Sequence, residues 1–219
     1  MYDAAPDVGG MWRGIGMTID TEDLLNSILE SLTRIEYIRP EEIPNIDLYM
    51  DQVTTFMDKR LRSTSRNPGD DKILTKTMIN NYAKNDLLPP PVKKKYSKEH
   101  VLLLIFIYYY KGILSINDIQ TLLSPITEKF FQNDADFDLE DIYNEVFSME
   151  EEQVENLKKD VLDKYKKAWN TFGEAPEESQ TFLKSFSFIC LLSFDVYVKK
   201  LLIEKLLDEM KPETDGAKK

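Results

Sequence analysis

The sequence predicts an all-α fold, with at most a tiny β-wing near residues 90–96. Apolar residues recur at three- and four-residue spacing along most of the chain. Ser, Asp, Pro and Gly stand where helices start and stop. No run alternates apolar and polar residues between hairpin turns as a solvated strand would.

Asp20 is a good N-cap for a helix over about 21–33, with Leu24, Leu25, Ile28, Leu29 and Leu32 at helical spacing. The residues before it are rich in glycine and poor in pattern. They are expected to be disordered over 1–19, with Met17 as a candidate true start. A second helix is expected after Pro44, running to about Leu61, with Leu48, Val53, Phe56 and Met57 facing inward. Ser63 to Asp71 reads as a loop, and a short helix runs from Thr75 to about Asn85. Pro89 to Pro91 must end that helical course, because proline lacks an N–H and restricts the residue before it.

Ser97 caps a helix through Tyr110 that is apolar on nearly every face and therefore belongs in a core, with Gly112 at its C′ position. Ser115 and Asp118 form an S-x-x-D start for a helix carrying Ile116, Ile119, Leu122 and Leu123. An acidic helical stretch to about Gln153 follows, then an amphipathic helix over 150–172 with Val154, Leu157, Val161, Tyr165, Trp169 and Phe172. The last helix is long, from about Glu177 to Met210. The expected organisation is residues 1–19, a domain at 20–125 and a C-terminal helical domain at 126–219.

Length and composition suit an ordinary globular protein. The longest apolar run, Val101 to Tyr110, is half the ~20 residues that cross a bilayer, so no membrane partner is expected. The lone Cys190 excludes an internal disulfide and suits a reducing, cytoplasmic setting. The net charge of −11 is unevenly spread. Residues 58–111 hold twelve Lys/Arg against five Asp/Glu, a local +7, while both flanks are acidic. A basic island inside an acidic chain fits a compact nucleic-acid-binding module joined to an acidic partner domain.

On the short helix, Thr77, Asn80, Asn81 and Lys84 fall at i, i+3, i+4 and i+7, a polar stripe, with Met78, Ile79 and Tyr82 opposite. Adjacent asparagines are poor helix formers, at roughly 0.5 kcal/mol each relative to alanine. Amide side chains can bond adenine edges and Lys84 can reach a phosphate, so the stripe suits a recognition helix. A merely solvated face is the plainer alternative. Lys93, Lys94 and Lys95 are the strongest phosphate-contact candidates, against the alternative of a solvated lysine run. The preceding prolines aim that segment, or serve as a polyproline ligand.

Residues 78–88, MINNYAKNDLL, resemble the T-[IL]-R-Y-Y-E-x-x-G-L-L signature that ends the recognition helix of MerR-type regulators. The likeness continues through Pro89-Pro90, Tyr96-Ser97 and GILSINDIQTLL at 112–123, which is similar to G-[FY]-S-L-x-E-I-x-x-L-L. Closer still is an uncharacterised bacterial family, domain of unknown function 1836. LTKTMINNY, LLPPP and KKYS (Leu74–Tyr82, Leu87–Pro91, Lys94–Ser97) resemble its pattern. The resemblance covers about 45–125. It implies a winged helix-turn-helix, centred on 72–123 and followed by a C-terminal helical domain for dimerisation or effector sensing. The implied function is that of a DNA-binding transcription regulator.

Asn80 then stands where MerR proteins place a DNA-contacting Arg, Asn81 takes the first Tyr position, and Tyr82 takes the second, which packs inward. The implied DNA-contacting set is Lys76, Thr77, Asn80, Asn81, Lys84, Lys93, Lys94 and Lys95. The departures are Asp86 in place of a turn glycine, a shortened wing at 92–95, and a longer connection at 63–71. A protein-interaction module that kept this scaffold but lost DNA binding is the alternative. The partners implied are DNA, a second copy of the chain, and a small-molecule or protein effector at the C-terminal domain.

Catalysis, a metal and a cofactor are not expected. His100 is the only histidine, and no phosphate-binding, dinucleotide-binding or nucleophile-elbow motif occurs. Asp134, Asp136, Asp138 and Glu145 fall at EF-hand loop positions 1, 3, 5 and 12, but Leu139 replaces the required glycine. An acidic linker whose Asp138 starts a helix is the simpler reading. The aromatics Tyr108 to Tyr110, Phe182, Phe186, Phe188 and Phe194 read most simply as core, or else as a ligand pocket or dimer surface.

Overall fold

The computed structural model describes residues 23, 25–27, 29, 30, 38–133 and 137–211, without the side chains of 150–152. The chain divides into two units, 1–36 and 37–219. In the first, the described residues are helical, within the helix expected over 21–33, and Leu25 is buried. The expectations of disorder over 1–19 and of a start at Met17 lie outside the described residues.

The second unit is mostly helical, in keeping with the all-α expectation. Its elements in order are β1 (Leu48–Tyr49), α1 (Met50–Leu61), α2 (Lys76–Lys84), β2 (Lys95–Tyr96), α3 (Lys98–Tyr110), α4 (Ile116–Phe130), α5 (Leu139–Trp169) and α6 (Glu177–Met210). The two strands pair antiparallel, Leu48 opposite Tyr96 and Tyr49 opposite Lys95. The helix expected from Pro44 thus begins only at Met50, because Leu48 and Tyr49 are drawn into pairing with β2.

The core is built around α3. Every residue from His100 to Ile107 is buried, as a helix apolar on all faces requires. Phe106 meets Tyr143 and Phe147 of α5 at ring-centroid distances of 5.4 and 5.6 Å. Val53, Met57 and Leu61 of α1, with Ile79 and Tyr82 of α2, close the other side of the same core. Gly112 stands at the C′ position of α3 without the left-handed conformation expected of it. The chain instead turns through bonds from the Ile113 and Leu114 N–H groups to the Tyr110 carbonyl, at 2.9 and 2.8 Å.

Ser115 caps α4 as its motif predicts, accepting from the Asp118 N–H at 3.2 Å and donating to its carboxylate at 2.7 Å. The helix then continues through Pro125 to Phe130, so residues 125 and 126, the expected domain limit, fall inside it. The acidic stretch and the amphipathic segment expected as separate helices are one, α5, of 31 residues. It pairs with α6. Tyr165 stacks on Trp169 and meets Phe188 edge-on at 5.6 Å, while Lys164 bridges Asp195 at 2.7 Å. Near the end of α6, Leu207 is buried in the core together with Ile119 and Leu123 of α4. Phe182, Phe186 and Phe194 are exposed in the single chain, against their expectation as core. Among the described residues, no helix is long and apolar enough to cross a membrane.

Candidate nucleic-acid interface

The nine-residue α2 starts where Thr75 accepts the Met78 N–H at 3.1 Å. It ends where Asp86 takes φ 54°, allowing the Leu87 N–H to reach the Tyr82 carbonyl at 2.9 Å. That is the 6→1 bond of a Schellman ending, with aspartate in the place glycine usually holds. Buried Ile79 and Tyr82 and half-buried Met78 fasten one face to the core. The opposite stripe, Thr77, Asn80, Asn81 and Lys84, is exposed throughout.

The long connection entering α2 is held at several points. The Arg62 guanidinium bonds Asp58 and the Pro68 carbonyl. Thr64 bonds the Tyr108 hydroxyl at 2.8 Å, and the Lys111 ammonium donates to the Ile73 carbonyl at 2.7 Å. Lys111 also lies 4.6 Å over the Tyr108 ring, and its burial holds its pKa below the usual lysine range. These ties fix the direction from which the chain enters α2 despite the length of the connection.

The segment expected as the wing, residues 92–95, is a two-residue hairpin. The Lys95 N–H donates to the Val92 carbonyl at 2.9 Å, with Lys93 at φ 51° and Lys94 at φ 64°. Two central residues with positive φ make this a type I′ turn, whose preferred residues are Asn-Gly. Lysine in the left-handed region costs roughly 1 kcal/mol per residue. Lys93 and Lys94 are exposed at the tip, and Lys95 is half-buried with its ammonium 5.3 Å over the Tyr49 ring.

The start of α1 joins the wing to α2. Tyr49 pairs with Lys95, and two residues on, Asp51 forms an ion pair with Lys76. Among the described residues, Lys76 is therefore the one expected contact residue already held by a carboxylate. Among the described residues, none pairs with Lys84, Lys93 or Lys94. Sequence reasoning missed Tyr49, which is 54% exposed beside the lysines. Its signal was its place next to buried Leu48, an in–out alternation too short to read as a strand. Arg66 and Lys72, both exposed on the connection, contributed to the local +7 but were not singled out.

His100 supports the wing from below. Its Nδ1 accepts the Ser97 N–H at 3.0 Å, which leaves the ring proton on Nε2. The ring packs edge-on to Tyr96 at 5.4 Å and Phe131 at 4.8 Å. Burial holds it below the usual histidine range, outweighing the opposing pull of the Pro90 and Pro89 carbonyls and Asp47.

Asp134 and Asp136 of the EF-hand-like run lie outside the described residues. Asp138 spends its carboxylate on the start of α5, accepting the Glu140 and Asp141 N–H groups at 2.8 and 3.0 Å. Among the described residues, no three His, Cys, Asp or Glu side chains gather to hold a metal ion.

The described residues thus define a mostly helical protein in which α2 and the 92–95 hairpin carry exposed lysines and, on α2, exposed amides. Residues 38–146 match the family model of a domain of unknown function (DUF1836), the uncharacterised family that the motifs resemble. No curated protein and no solved structure matches the chain.

Proposed function

We propose that residues 45–123 act as a MerR-like winged helix-turn-helix that binds DNA, in a transcription regulator that works as a homodimer and not as an enzyme. The carrying observation is the wing tip, where two exposed lysines occupy backbone positions suited to Asn and Gly. Strain of this kind persists where the side chains serve a purpose other than stability, and two free cations at a tip suit phosphate contact. The uncharged amides Asn80 and Asn81 suit base edges, and Lys84 the backbone beside them.

A gel shift with fragmented genomic DNA at low salt tests the reading. Binding that weakens steeply with salt is expected, as is its loss when Lys93, Lys94 and Lys95 are all replaced by Glu with helical circular dichroism unchanged. A wild-type chain that shifts no fragment at low salt would overturn it. The ion pair between Lys76 and Asp51 favours the second reading, a protein-interaction module on the same scaffold. That module would leave DNA unshifted.

A further inference from the structure

The α5-facing side of α6 is marked by Ser187, Phe188 and Asp195, which meet Thr171, Tyr165 and Lys164. On the opposite side, Phe182, Phe186, Ile189, Ser193 and Val196 recur at alternating four- and three-residue steps. All five are exposed, Phe182 and Val196 at 65%. The same steps continue through Lys200 and Ile203 to Leu207, which the chain's own core buries. A 4-3 repeat sustained over 182–203 is the spacing of a coiled-coil seam, here about 32 Å long and left exposed from Phe182 to Lys200 among the described residues.

The uncovered area is that of an interface. On this face Phe182, Phe186 and the flanking Tyr197 are 65, 53 and 64% exposed. At roughly 200 Å² per aromatic side chain they alone present about 360 Å². The aliphatic residues between them bring the face to the scale of the ~800 Å² per partner buried in a standard protein–protein interface. A monomer rarely exposes a contiguous apolar patch beyond a few hundred Å².

We infer that this face of α6 pairs antiparallel with α6 of a second copy. Lys200, whose ammonium lies 3.8 Å from the Glu204 carboxylate of its own helix, sets the direction. A parallel pair sets Lys200 against Lys200 on the seam. An antiparallel pair centred near Leu191 sets it against Phe182, where an ammonium over an aromatic face is favourable. The same register lays Phe186 against Val196 and Ile189 against Ser193, and it opposes the helix dipoles. One patch serves both partners, as a two-fold interface requires. The pairing deepens the homodimer part of the proposed function and stands apart from its DNA part, being measured without DNA.

Sedimentation of the full chain at micromolar concentration should give twice the 25.5 kDa chain mass. The double variant Phe186→Lys/Ile189→Lys should sediment as monomer with unchanged helical circular dichroism, since both side chains are exposed in the single chain. Two further variants in a Cys190→Ser background report direction. Phe182→Cys should cross-link to Lys200→Cys when the two proteins are mixed and oxidised, and not to itself. A monomeric wild type, from cover by the N-terminal residues or another ligand, would overturn the inference. So would a dimeric Lys double variant, or cross-linking of position 182 to itself.

Discussion

The Tyr143 hydroxyl donates to the carbonyl of Ile38 at 2.7 Å, joining residues 105 positions apart inside the core. Ile38 begins the segment that matches the domain family and Tyr143 lies three residues from its end, so this bond ties the two ends of the matched domain together. Tyr143 also packs on Phe106 and Phe147, at 5.4 and 4.3 Å between ring centroids. The first turns of α5 therefore belong to the core around α3, and the rest of α5 extends beyond the matched segment.

Tyr143→Phe keeps the ring contacts and leaves the buried Ile38 carbonyl without its phenolic donor. An unsatisfied buried acceptor costs about 1–3 kcal/mol. Urea unfolding should show a lower midpoint at an unchanged slope. An unaltered midpoint would mean that water or another donor reaches this carbonyl.

The wing predicts stability and DNA binding moving in opposite directions. Lys93→Asn with Lys94→Gly supplies the residues a type I′ turn prefers and relieves two strained lysines at roughly 1 kcal/mol each, less the backbone entropy of the new glycine, so the variant should gain about 1 kcal/mol. It also removes two cations. The slope of log affinity against log salt should therefore fall by about 1.8 if both contact phosphates. A variant both more stable and equally tight on DNA would remove the wing tip from the interface.

Asn80→Ala with Asn81→Ala makes the same opposition on α2. Both side chains are exposed, and alanine is the better helix former by roughly 0.5 kcal/mol each, so thermal stability should rise slightly. If the amides read base edges, discrimination among DNA sequences should drop, each lost base contact costing about 1–3 kcal/mol. A competition binding assay with specific and nonspecific fragments measures that loss. Unchanged discrimination would leave the stripe as a solvated face.

Much of the unit around α3 was legible because its signals are local. Ser115-x-x-Asp118 specifies a cap, the continuous apolar run 101–107 specifies a buried helix, and Met78, Ile79 and Tyr82 specify the inward face of α2. The start of α1 was misplaced because β1 exists only through pairing with β2, a contact 48 positions away. The limit expected at 125/126 followed the end of the motif resemblance, and α4 runs through it from Ile116 to Phe130. Nothing local announces the bond from Tyr143 to Ile38. On the candidate interface, the exposed stripe and lysines followed from spacing and charge. The ion pair from Asp51 to Lys76 and the aromatic cover of Lys95 by Tyr49 depend on tertiary placement that residue spacing does not show.

The only histidine gives the fold a pH dependence of definite sign. His100 is buried and held below its ordinary range, so the folded chain resists the proton that an unfolded histidine takes up near pH 6.5. The unfolded state binds more protons in that window, and stability rises with pH. This contribution is fully present above about pH 6.5 and is lost as the pH falls towards the lower folded value, by at most ~1.4 kcal/mol per pH unit. Glu99 acts in the opposite sense, because burial raises its carboxyl despite the Gln132 N–H it accepts. Its contribution is common to wild type and variant and cancels in the comparison. Urea midpoints of wild type and His100→Gln, taken near pH 7.5 and near pH 5.5, isolate the histidine term. The glutamine can still accept the Ser97 N–H through its carbonyl oxygen. The wild type should lose more stability between the two pH values, and equal losses would show that His100 is solvated in the folded chain.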